Sequence, residues 1–313
     1  MPGPTIHLLA ALDSLRALEK PAGKPPFPVD DALCRNAFLC GAVGPDMGYC
    51  PGGVPFLSDL AHYVHTAELA RNLLRFARNP PQRAFAWGWV SHILADVLGH
   101  PLINHASAER LFGDRTLSVS YADDPITHLL VELGLDAFWS VRDPRAGRPA
   151  LRPVWAPGGA APFAAAYEAT YSVRFAPGPL LASHHASLRA TRWVLLLDHV
   201  TGSRWADRAR GLKGRLFEWF ALAPVRWYTA RFARASRVHA LTRLIPPAPW
   251  LVDAFAEVLR EVPARLVGMT GDGLERLMDY NLDLGLVESG PSRYEPTRRA
   301  MLRLDRRRRP DAA

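Results

Sequence analysis

An all-α fold is what this 313-residue sequence predicts, on two observations. Apolar residues recur at helical spacing through most of the chain, beginning with Ile6, Leu9, Ala10, Leu12 and Leu15. Strict apolar–polar alternation bounded by turns is nearly absent, and only TLSVSYA at 116–122 reads ambiguously. The expectation is a multi-helix bundle with an additional helical C-terminal half.

Local signals justify the elements in order. The first helix ends before the Pro-rich KPAGKPPFP, and a second follows Asp30. GAVGPDMGYCPGGVPF at 41–56 holds too much Gly and Pro for a helix, which puts Asp46 on a loop. SDLAHYVHTAELARNLLRFARN, capped by Ser58, is expected to run helically to the break at Pro80-Pro81. Residues 82–100 and 121–141 read as two further helices, and 143–162 as a linker or long loop. Helical segments are expected near 163–172, 179–200, 204–221, 224–241, 248–266 and 271–285. The division that follows is a metal-binding helical domain over 1–142, the linker, a basic helical region of unassigned role over 163–304, and a disordered tail over 305–313.

Composition bounds the class. A hydrophobic fraction of 49% with 22% charged residues is that of a folded soluble protein. Residues 1–140 carry 10 basic and 14 acidic side chains, against 28 and 16 in 141–313. Nearly all the positive charge is Arg, an ordinary mark of GC-rich coding, while a surface meeting phosphate or anionic membrane is the sharper reading. GLKGRLFEWFALAPVRWYTARFARASR at 211–237 mixes Arg with aromatics in helical register; a packed helix pair and a membrane-surface segment both fit it. No nucleic-acid-binding module is recognisable, so no specific nucleic-acid partner is expected. Cys34, Cys40 and Cys50 lack the number and spacing of a disulfide framework. No targeting signal stands at the start, and apolar runs such as WVLLL fall far short of the roughly 20 residues of a membrane span. A cytoplasmic location is the expectation, with peripheral contact at an anionic membrane left open.

The most informative segment is GWVSHILADVLGHPLINH at 88–105. Steps of four residues turn a helix by only about 40°, so His92, Asp96 and His100 project from one face. His128 and Glu132 repeat the pattern in ITHLLVELGLDAF, with Asp136 one turn on. Burying unpaired His and Asp on an apolar helix costs several kcal/mol, and a metal would supply the partners. Other metal-hydrolase signatures, such as H-E-x-x-H, and the Glu-x-x-His pairs of di-iron bundles are missing. His184, His185 and His199 lack matching carboxylates and read as structural or surface residues.

The order TIH, then GPD in a Gly-rich loop, HYVH, GWVSHILADVLGHP and a later H-x-x-x-E resembles the zinc-dependent phospholipase C family, distantly related to the zinc single-strand nucleases. The resemblance covers roughly residues 5–140. It implies a phospholipase C-like all-α bundle with three zinc ions that hydrolyses phosphate esters. Carried across, it assigns His7 to one zinc and Asp46 to the loop carboxylate that binds or deprotonates the attacking water. His62, His92 and Asp96 would hold a second zinc, with Asp96 bridging to the zinc at His7; His100, His128 and Glu132 would hold the third. His65 competes with His62, and His105 with His100. Secreted relatives begin with a Trp whose amine and carbonyl bind metal, whereas here the amine of Pro2, freed by loss of Met1, would take that place. The expected function is zinc-dependent cleavage of a phospholipid or related phosphodiester by metal-activated water. The alternative is a non-catalytic, metal-stabilised helical protein that binds a membrane surface or a protein partner.

Overall fold

The computed structural model describes residues 3–19, 25–145, 151–155, 159–206, 246–271, 274–287 and 292–308. Within them the fold is all-α, with β structure confined to the antiparallel pair β1 (Tyr280–Asn281) and β2 (Leu286–Val287). Proline starts many of the helices, because the first turn has no internal use for the N–H that Pro lacks. Pro4, Pro55, Pro125 and Pro249 open α1 (Pro4–Leu18), α3 (Pro55–Tyr63), α6 (Pro125–Arg142) and α9 (Pro249–Gly268). Side-chain caps start others: Asp31 accepts from the Cys34 N–H at the head of α2 (Ala32–Ala42). In α6 the two devices combine, Asp124 ahead of Pro125 accepting from Ile126 N–H and Thr127 N–H.

Several expectations are corrected. Pro80-Pro81 does not end a helix but opens one, α5 (Pro80–Phe112), with Asn79 accepting from Gln82 N–H as its cap. The segment expected as one helix from Ser58 is two, α3 and α4 (Thr66–Phe76), because His65 takes the left-handed conformation at φ 50° and turns the chain between them. Ser58 is no cap; its hydroxyl donates to Pro45 C=O and accepts from Gly48 N–H, fastening α3 to a short 3₁₀ turn, Pro45–Gly48, that carries Asp46. Residues 274–287 form turns and the β pair instead of a helix, since Asn281 caps the backbone of Asp283 and Leu284 and Gly285 lies at φ +66°. TLSVSYA is irregular. The arginines expected in a tail extend a helix, α10 (Glu295–Arg308), and residues 309–313 lie outside the described ones. So do Met1 and Pro2, the helices expected at 204–221 and 224–241 beyond Ala206, and the basic aromatic stretch 211–237.

Helix α5 is the axis of the molecule. Over 33 residues it packs against α1, α2, α4, α6 and α9, burying Phe85, Trp87, Trp89, Val90 and Ile93. Helices α7 (Ala161–Tyr171) and α8 (Pro177–Ala206) close over α4 and α6, and Leu151 and Trp155 of the expected linker are buried. Elements on both sides of residue 142 thus share one core, reaching from Ile6 to Leu304. His184 sits in it, edge-on to Phe85, its imidazole held down to about 3 by burial and therefore neutral. No helix among the described residues is long and apolar enough to cross a membrane.

The approach of α2 to α5 depends on glycine. A Cβ on Gly88 would stand 1.9 Å from the Phe38 carbonyl oxygen, an atom of the backbone that cannot rotate away. Gly88→Ala is expected to destabilise the fold by about 1–3 kcal/mol through overpacking. Urea denaturation with an unchanged midpoint would refute that close crossing.

Candidate metal centre

Each candidate ligand named from the sequence has a definite place. His7 lies on α1, Asp46 on the 3₁₀ turn, His62 near the end of α3, His92, Asp96 and His100 on α5, and His128 and Glu132 on α6. All are buried except Asp46, whose side chain is 17% exposed and stands at the rim. Among the described residues three groups of donor atoms each fall within 4.8 Å: His7, His92 and Asp96; Asp46, His62 and His92; and His100, His128 and Glu132. His65 is turned out to solvent beside Glu68 and Asp279, and His105 faces the Leu117 carbonyl, so neither joins a group. Cys50 also stays outside, its thiol pushed up to about 12 by burial and the nearby Asp46 carboxylate.

The backbone orients the imidazoles. His62 Nδ1–H donates to the Ser58 carbonyl at 2.8 Å, His92 Nδ1–H to that of Ala42 at 2.8 Å, and His100 Nδ1–H to that of Leu282. A carbonyl only accepts, so Nδ1 carries a proton and Nε2 is the nitrogen that each ring turns inward as a donor to a metal. The Nε2 atoms of His7, His62, His92, His100 and His128 are buried without a hydrogen-bond partner among the described residues, as are both Asp96 oxygens and Asp46 Oδ1. Orphans of that kind are costly unless something not made of protein completes them.

Spacing identifies what would complete them. Two donors each about 2.0–2.2 Å from a tetrahedral zinc ion stand about 3.4 Å apart. Asp96 Oδ1 is 3.3 Å from His7 Nε2, and its Oδ2 is 3.0 Å from His92 Nε2 and 3.7 Å from His62 Nε2. Asp46 Oδ1 is 3.2 Å from His62 Nε2 and 3.7 Å from His92 Nε2. Glu132 Oε1 is 2.9 Å from His128 Nε2 and 3.6 Å from His100 Nε2. The nitrogen and oxygen donors therefore fit zinc in kind and in separation. The two oxygens of Asp96 face different partners, His7 on one side and His92 with His62 on the other.

The electrostatics favour a cation in one half. Burial lowers His92, but the adjacent Asp96 and Asp46 carboxylates overcome it and hold the ring up at about 9. Burial likewise opposes ionisation of Asp46 and Asp96, yet the facing imidazoles keep both below the usual carboxylate range. In the other half burial dominates and brings His100 down to about 4, so this imidazole stays neutral and available as a donor.

Asp136, read from the sequence as one turn beyond the ligand pair, does a different job. Its carboxylate accepts from Thr5 N–H at 3.0 Å and Ile6 N–H at 3.3 Å, satisfying the free N–H groups that begin α1. Asp198 on α8 accepts from the Thr5 hydroxyl at 2.7 Å. Burial raises both carboxyls, Asp136 to about 7, and the Asp136 charge raises Asp198 further, so the pair retains a proton near neutrality. Together they fix the turn that carries His7. Asp198 left no sequence signal, since a single helical Asp has no partner at ligand spacing; the Leu282 carbonyl left none because a backbone group has no residue type.

The family model for zinc-dependent phospholipase C matches residues 6–167. No curated protein and no solved structure matches the chain. The match supports zinc-dependent chemistry on phosphoesters and, at the coarse level, a phospholipid substrate.

Proposed function

The chain belongs to the zinc-dependent phospholipase C family, and from that premise we propose that it hydrolyses a phospholipid or related phosphodiester with three zinc ions held by His7, Asp46, His62, His92, Asp96, His100, His128 and Glu132. The observation that carries the reading is the convergence of five imidazole nitrogens, buried without a hydrogen-bond partner among the described residues, on three carboxylates at zinc-ligand separations. His62, His92 and Asp96, with Asp46 at the rim, would take one ion; His7 and the second oxygen of Asp96 another; His100, His128 and Glu132 the third. Zinc there would lower the pKa of water from 15.7 to about 7 and act as a Lewis acid toward phosphate oxygens.

The chain's own groups do the rest. Asp46, the most exposed of the set and held ionised by His92 and His62, is placed to accept the proton of the attacking water. Neutral imidazoles and three carboxylates leave a site with three zinc dications net positive, which draws in a phosphodiester anion. The buried walls of α3, α5 and α6 exclude competing water and keep that charge effective. Peripheral contact with an anionic membrane belongs to the same reading, because a phospholipid is met at a surface and residues 141–313 carry the excess of positive charge.

Metal analysis of the purified protein, combined with headgroup release from phosphatidylcholine vesicles and from a soluble phosphodiester, tests the proposal. Three zinc ions per chain are expected, with turnover abolished by a chelator and restored by zinc. Full zinc occupancy without turnover of any phosphoester would favour a metal-stabilised binding protein instead.

A further inference from the structure

Residues 281–285 lie beyond the family-matched region, yet they reach into the metal centre. Buried Asn281 builds the turn: its Oδ1 accepts from Asp283 N–H at 3.1 Å and Leu284 N–H at 3.2 Å, and Gly285 N–H donates to its carbonyl at 2.9 Å. The two backbone groups of Leu282 then point at different ligand helices. Its N–H donates to the His62 carbonyl on α3 at 3.0 Å, and its C=O accepts Nδ1–H of His100 on α5.

The seat of this turn is shaped for it. Asn104, one turn past His100, donates its amide to the Asp283 carbonyl at 2.9 Å, while Tyr63 and Tyr294 both donate to Asp283 Oδ2 at 2.8 Å. Inside α5, Pro101 has no N–H to offer the carbonyl of Val97. Gly285 settles against that place, where a Cβ would stand 2.6 Å from Val97 O and 2.7 Å from Pro101 Cγ. An interruption in the ligand helix and a side-chain-free residue in a distant turn therefore meet.

We propose that the turn 281–285 is a positioning element of the metal centre, tying the His62 end of α3 to His100 and fixing the His100 ring with Nε2 toward Glu132. The inference rests on the zinc reading above and goes beyond it by giving part of the C-terminal half a role at the site. A histidine whose far nitrogen is held by a carbonyl has its tautomer and ring plane set, and losing such a partner weakens metal affinity by about 10–100-fold. Because His100 is touched directly and His62 only through its carbonyl, the effect falls on the third zinc.

Full-length wild type, Asn281→Ala, Asn281→Asp and Gly285→Ala, stripped of metal and titrated with zinc, provide the test, with helical circular dichroism recorded alongside. Wild type is expected to take three ions. Asn281→Ala and Gly285→Ala should keep the helical signal while one of the three binds about 10–100-fold more weakly, and Asn281→Asp, which keeps the accepting oxygen, should restore wild-type binding. Three ions at wild-type affinity in both weakened variants would overturn the proposal, as would equal weakening at all three positions, the sign of general destabilisation. If Asn281→Ala does not fold, Gly285→Ala, which adds one methyl group, decides alone. A wild type that takes no zinc would remove the zinc reading itself, a result distinguishable from failure of the turn.

Discussion

Asp96→Asn is expected to remove two of three zinc ions and to lower turnover by roughly 10³-fold or more, equivalent to about 4 kcal/mol of lost transition-state stabilisation. The reason is geometric. One Asp96 oxygen lies 3.3 Å from His7 Nε2 and the other 3.0 Å from His92 Nε2, so a single carboxylate serves both neighbours. An amide keeps one oxygen but replaces the other with a nitrogen that cannot ligate, and it removes the negative charge that holds His92 up at about 9. The group at His100, His128 and Glu132 has its own carboxylate and should keep its ion. Zinc content by mass spectrometry should therefore fall from three toward one while α5 persists. A loss confined to one ion would mean that Asp96 does not bridge. Metal binding is also coupled to folding: an ion present at 1,000 times its dissociation constant adds about 4.1 kcal/mol, so the variant should melt below the loaded wild type yet close to it once both are stripped by chelator.

Asp46→Asn separates chemistry from assembly. His62, His92 and Asp96 still supply donors to that half of the site, and the amide oxygen can occupy the place of Oδ1, so zinc content should stay at three. What would disappear is the ionised carboxylate at the rim, the proposed proton acceptor. Loss of a general base lowers turnover by about 10²–10⁴-fold, and the fall should appear in kcat with KM little changed. Unchanged turnover in a fully loaded variant would remove Asp46 from the reaction. Loss of zinc together with turnover would recast it as a ligand first and a base second.

What could be read from the sequence followed from regular spacing. His92, Asp96 and His100 on α5, and His128 and Glu132 on α6, share faces because four residues are close to one helical turn, and that holds before any tertiary structure is known. Choosing His62 over His65 needed the fold: the two differ by three residues, and only the left-handed bend at His65, which ends α3, sends one inward and the other to solvent. The helix expected over 271–285 failed for a related reason. Its apolar periodicity was real, but Asp279 is spent capping the Ala67 and Glu68 N–H groups of α4 and Asn281 folds its own turn, so side-chain hydrogen bonds outcompeted the helix. Pro80-Pro81 misled because the same residue that ends one helix is the preferred first residue of the next. Contacts made by backbone, such as that of Leu282 with His100, leave no trace in residue identity.

The clasp of Asp136 and Asp198 on the first turn of α1 also sets an order of events during synthesis. Thr5 is made well before its partner, since Asp198, which binds its hydroxyl, follows 193 positions later. At about 5–20 residues per second the head of α1 waits roughly 10–40 s for its anchor. The pocket around His7 therefore closes only once α8 has been made, and a metal bound there would act as a late seal.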